Sequence, residues 1–119
     1  MPARMLDTRL AGGEFGYVGD KPQAGQVVSL RVLGRAGVPK SGVRSVVLNV
    51  TATEATAAGF VSLWPGETPR PLTSMLNLSS GGQTAASAAV VEVGADGTVN
   101  LYSQSGAHLV VDVTGWLAG

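Results

Sequence analysis

His108 is the only histidine in this chain, and a Ser-His-acid triad would need it to touch both an activated serine and an orienting carboxylate. Asp112 lies on the same face of a presumed strand but four residues on, roughly 13 Å away at ~3.3 Å per residue, which is too far for a direct hydrogen bond. No Gly-x-Ser-x-Gly elbow occurs, so His108 reads as a structural residue facing the surface. A pair of carboxylates could hydrolyse a glycoside, yet Glu14, Glu54, Glu67 and Glu92 stand in four separate segments with no aromatic-rich cleft around any of them. Cysteine is absent, which removes thiolate metal sites, disulfides and Cys nucleophiles, and no His cluster offers a metal site instead. The glycine-rich turns Ala11-Gly12-Gly13 and Ser80-Gly81-Gly82-Gln83 lack the Lys-Ser or Lys-Thr pair of a phosphate loop. The expectation is a protein without catalysis, cofactor or metal.

What remains for chemistry is recognition. The aromatic residues are Phe15, Tyr17, Phe60, Trp64, Tyr102 and Trp116. Trp64 and Tyr102 occupy matching ends of two similar strands, and Phe15-Gly16-Tyr17 lies in a glycine-rich loop. Flat rings in such places stack on sugar faces in many carbohydrate-binding modules, and they serve equally as partly buried rims of a core. Trp64, Tyr102, Phe15 and Tyr17 are therefore the candidate ligand-binding residues. Aligning Leu48, Val91 and Val111 sets Asn49, Glu92 and Asp112 at one outward position on three strands, with Arg31 on a fourth. They are either ordinary outward polar residues or, if the strands are neighbours, a site for a cation or a sugar hydroxyl. Asp7 and Arg9 lie two apart on one strand face and read as an anchor for a terminus or loop. Asn49-Val50-Thr51 and Asn77-Leu78-Ser79 fit the glycosylation sequon, the former in the middle of a presumed strand.

The elements that must position these residues are strands. Val46, Leu48 and Val50 alternate with Ser45, Val47, Asn49 and Thr51, the pattern of a strand half buried against a core. The stretch recurs as Val110-Val111-Asp112-Val113-Thr114-Gly115. Runs of this kind, bounded by Gly, Pro, Asn and Asp, predict strands near 4–8, 26–33, 43–52, 59–64, 73–78, 85–93, 97–103 and 107–114. At most a single helical turn fits near Glu54 to Ala58. Val46 to Val50 followed by Gly59 to Trp64 matches Val90 to Val93 followed by Gly97 to Tyr102, which predicts two similar hairpins, the second closed by Ala95-Asp96-Gly97. The expected fold is all-β, an antiparallel, jelly-roll-like β-sandwich of about eight strands. Its expected core includes Leu30, Val46, Leu48, Val50, Leu63, Val91, Leu101, Val111 and Val113.

At 119 residues the chain is one domain, spanning 1–119, and large enough to be stable alone. Hydrophobic residues make up 45% and charged ones only 13%, so the polar surface comes mainly from Ser, Thr, Gly, Asn and Gln. Eight basic residues balance eight acidic ones, which leaves no global attraction to nucleic acid or to an anionic membrane. No run approaches the ~18 apolar residues of a membrane span, and Met1-Pro2-Ala3-Arg4 has no apolar signal region. An exported parent would thus be represented by a mature or excised segment. Zero net charge also eases self-association, and Val47, Val90 and Val110, all outward, would form an apolar patch if contiguous.

The segment Gly34-Arg35-Ala36-Gly37-Val38-Pro39 through Gly42-Val43-Arg44-Ser45-Val46-Val47-Leu48-Asn49-Val50-Thr51-Ala52-Thr53 resembles a domain recurrent in secreted proteins of actinobacteria. Leu6-Asp7-Thr8-Arg9, Arg70-Pro71 followed by Leu76-Asn77, Gly81-Gly82-Gln83-Thr84, Val93-Gly94-Ala95-Asp96-Gly97 and His108-Leu109-Val110-Val111-Asp112-Val113-Thr114-Gly115 are similar to its pattern in the same order, across nearly the whole chain. The resemblance implies an extracellular accessory role beside a hydrolase domain of the parent chain, with no assigned activity. Many members carry a Cys pair near the positions of Pro65-Gly66 and Thr98-Val99-Asn100; its absence here implies that packing alone holds the two hairpins. Trp116-Leu117 stands where an aromatic pair is common. The expected function is a non-catalytic module that binds a cell-surface or substrate polysaccharide, the alternative being a structural spacer or self-assembling homo-oligomer.

Overall fold

The computed structural model describes residues 3–10, 12–13, 16–17 and 19–119. They form eight strands and no helix: β1 (Ala3–Asp7), β2 (Val27–Arg31), β3 (Val43–Thr53), β4 (Gly59–Pro65), β5 (Leu76–Leu78), β6 (Ala85–Glu92), β7 (Thr98–Ser103) and β8 (His108–Ala118). The chain crosses between two antiparallel four-stranded sheets at every connection except the one from β4 to β5, which are neighbours, giving the orders β1-β8-β3-β6 and β2-β7-β4-β5. This nesting, with the first strand beside the last, is that of a jelly roll.

Alternation explains the core. In β3, Val46, Leu48, Val50 and Ala52 are buried while Val47, Asn49, Thr51 and Thr53 lie outward and half exposed. The facing sheet contributes Val28, Leu30, Val99, Leu101 and Val61. Eight of the nine expected core residues are buried, and Leu63 packs against them partly exposed.

Two expectations, the hairpins and the end of the last strand, need correction. β3 and β4 lie in different sheets, as do β6 and β7, so the duplicated units are corners between sheets and not hairpins. Asp96-Gly97 serves such a corner as well as it would a hairpin: Gly97 adopts φ +82°, and its N–H donates to Gly94 O at 2.9 Å. No helical turn forms at 54–58. β8 runs four residues beyond its expected end, through a register shift opposite Val47 and Leu48. That bulge turns Gly115 and Leu117 to the outer face, where His108, Val110 and Asp112 point before it.

Where the end of β4 meets the β6–β7 corner, the contact is backbone to backbone. Gly66 N and Gly94 N both donate to Thr98 O at 2.9 Å. A Cβ on Gly94 would strike the Gly66 peptide, and one on Gly66 would strike Thr98 Oγ1. Pro65 pairs with Val99 and Trp64 with Asn100 in the same stretch, so backbone bonds and close glycine contact join the strands there.

Candidate functional site

The pairing of Ser62 with Tyr102 and of Trp64 with Asn100 sets both expected rings on the outer face of the second sheet, diagonal to one another. Phe60 joins them, its ring centroid 5.9 Å from that of Tyr102. The sheet brings the aromatics together, and the 66–75 loop then covers them. Ser62 Oγ donates to Thr73 O at 2.8 Å and Met75 N to Val61 O at 2.9 Å, which folds the loop back over β4. Trp64 is only 5% exposed, and its Nε1–H donates to Thr68 O at 3.0 Å. Arg70 places its guanidinium carbon 4.1 Å from the centre of the half-buried Tyr102 ring.

Of the rings expected to form a sugar platform, Trp64 and Tyr102 thus share one sheet face, and Trp64 is buried there. Trp64 is withdrawn beneath its own loop, because an indole on a sheet face is stabilised by burial once a backbone carbonyl satisfies its N–H. Tyr17 does not join the group: it packs against the core and its phenol donates to Asp20 O at 2.5 Å. Phe15 lies outside the described residues. The ring most open to solvent among the described aromatics is Trp116, 39% exposed on β8 beside exposed Leu117. The Thr114-Gly115 step was the only sequence signal for the bulge that places them.

The outward polar row is partly assembled. Asn49 sits directly opposite Asp112, whose Oδ1 accepts from Arg4 Nε at 2.9 Å. Glu92 lies further along, opposite Ser45 and 3.4 Å from Arg44, while Arg31 belongs to the other sheet. Among the described residues no group of three or more His, Cys, Asp or Glu side chains could hold a metal ion.

His108 is tied to the residue that follows β1, and among the described residues no carboxylate bonds to it. Its Nδ1 lies 2.9 Å from Thr8 Oγ1. Asp7, 2% exposed, is held by Arg9 through both oxygens at 2.9 and 2.8 Å and by Arg4 at 3.2 Å. The bond from Arg9 holds its carboxyl below the usual carboxylate range against the opposing effect of burial. These residues pin the end of β1, as the spacing of Asp7 and Arg9 implied.

The apolar outward trio is also revised. Val47 and Val90 are cross-strand neighbours, and Val90 is 61% exposed. Val110 lies elsewhere, between Asp7 and Thr51, and is buried. Leu117 takes its place: it pairs with Ser45, two rungs beyond the Val47–Gly115 pair and on the same face, and is exposed. No helix is long and apolar enough to cross a membrane, and the described residues form no pocket. No protein-family model matches the sequence, and no curated protein is significantly similar to it.

Proposed function

We propose that this chain is a non-catalytic accessory module of an extracellular protein that works through contacts between protein surfaces, as a structural spacer or self-assembling unit. The observation that carries this reading is the fate of the rings. Trp64 is buried with its N–H satisfied, and Tyr102 spends a ring face on Arg70, so neither offers the bare plane on which a sugar stacks. Apolar surface is instead left open along β3, β6 and the end of β8, at Val47, Val90 and Leu117. The resemblance to the actinobacterial secreted domain supports the extracellular setting and a hydrolase neighbour in the parent chain.

Polysaccharide binding is the second reading, favoured by exposed Trp116. Incubation with insoluble peptidoglycan, chitin and cellulose separates the two. The expected result is no retention on any of them, and no turnover of peptide, ester or glycoside substrates. Retention lost on Trp116→Ala or Tyr102→Ala, with circular dichroism unchanged, would move the assignment to a sugar-binding module. Hydrolysis abolished by His108→Ala would overturn the absence of catalysis.

A further inference from the structure

Of the four sheet edges, three carry devices that block pairing with another strand. β1 has five residues, a register break between Arg4 and Leu6, and charges at Arg4 and Asp7. β2 also has five and ends on Arg31, while β5 has only three. β6 has none of these protections. It runs eight residues, Ala85–Glu92, in unbroken register with β3, contains no Pro, Lys or Arg, and keeps its single charge at its last residue. Long, flat, apolar edges of this kind are templates for a further strand.

The groups that face outward can be identified. Val93 N donates to Arg44 O at 2.9 Å, continuing the β3–β6 ladder. In an antiparallel pair, alternate residues turn both N–H and C=O toward the partner. Val91, Ala89 and Ser87 therefore bond to β3, while Ala86, Ala88, Val90 and Glu92 direct theirs away from the sheet. Among the described residues no backbone group answers these four. The one side-chain contact, Ser87 Oγ to Ala88 O at 3.4 Å, is too long to compete with a ladder bond. Even the inward residues Ala85, Ser87 and Ala89 are half exposed, so the edge is open.

We propose that β6 pairs antiparallel with β6 of a second copy of this chain, joining the two first sheets into one. The proposal rests on the reading of the module as one that acts through protein surfaces. A second copy fits because the edge is complementary to itself. With the two-fold axis at Ala89, Ala86 meets Glu92 of the partner subunit and Ala88 meets Val90 of the partner subunit, so all four outward residues find ladder partners. No like charges face one another in this register. The alanines leave room for close approach, and the chain's zero net charge does not oppose it. One strand edge buries roughly a few hundred Å² per partner, well under the roughly 800 Å² of a standard interface, so the pairing is weak and concentration-dependent.

Sedimentation equilibrium from micromolar to millimolar protein, with amide hydrogen exchange at both ends of the range, tests this. The mass should rise with concentration, and the amides of Ala86, Ala88, Val90 and Glu92 should gain protection with it. Ala88→Pro removes an outward N–H without costing a bond to β3, and Ala88→Lys places a charge on the same edge should the first variant fold poorly. Each should weaken association at least tenfold while circular dichroism is unchanged. Association unaltered in both folded variants, or protection gained on another strand, would overturn the β6 pairing and leave the contact reading standing. A wild type monomeric at millimolar concentration would also overturn the pairing; if retained on polysaccharide as well, it would overturn the contact reading too. Protection that appears only when an unrelated strand-forming peptide is added would exclude the second copy as the occupant.

Discussion

Thr8 Oγ1 accepts the Leu109 N–H at 2.8 Å and lies 2.9 Å from His108 Nδ1, so one buried hydroxyl joins β1 to the start of β8. Having accepted from the backbone, the hydroxyl is expected to donate its own proton to Nδ1. Imidazole nitrogen chemical shifts should accordingly place the ring proton of His108 on Nε2, and a proton on Nδ1 would show the hydroxyl accepting twice. Thr8→Val strands the buried Leu109 N–H and should cost about 1–3 kcal/mol in urea denaturation.

Acid should loosen the same corner. The Asp7 carboxyl is held below its ordinary value chiefly by Arg9. A group depressed in the folded state contributes stability fully above its unfolded pKa, and the contribution is lost as pH falls through the folded value. The wild type should thus exceed Asp7→Asn by about 1.5 kcal/mol near pH 7, the low end for bonds to a charged group, because both arginines are partly exposed. Thermal melts should show that difference shrinking below about pH 4, where an unperturbed carboxyl protonates.

Gly94→Ala should be far more damaging than its position in a connection suggests. The new Cβ would lie 2.6 Å from Gly66 N and 2.8 Å from Gly66 C, and backbone cannot step aside as a side chain can. A loss of about 1–3 kcal/mol is expected from denaturation midpoints. Gly94 is not among the glycines with positive φ, so the loss reads the clash and not left-handed strain.

The two tryptophans should separate in fluorescence quenching. Iodide should reach Trp116 and leave Trp64 emitting, because the 66–68 backbone covers the latter. Trp116→Phe should then leave a single emission that iodide does not quench.

Strand positions were legible because β-branched and polar residues alternate so regularly that Val46, Leu48, Val50, Val111 and Val113 declare one face by period alone. For Trp64 and Tyr102, period set matching strand ends and no more. It could not foresee that an irregular loop without periodicity would fold back on their face, since Ser62 and Trp64 are secured by carbonyls of Thr73 and Thr68 that no local pattern announces. The sheet to which each strand belongs was equally hidden, because Ala95-Asp96-Gly97 turns the chain whether the next strand pairs with the last or crosses to the facing sheet. Leu117 escaped notice for a different reason: one bulged residue exchanges inside and outside for the remainder of a strand.

β8 lies between β1 and β3, and Arg4 meets Asp112 across 108 residues of chain. Until that last strand is available, β1 has no neighbour and β3 is bonded on one side only. Closure of the first sheet must therefore be a late event, slow in the manner of folds dominated by distant contacts. During synthesis, most of the chain leaves the ribosome before its first strand has anything to pair with. A break anywhere ahead of His108 would leave β1 without its partner, however much of the chain were already made.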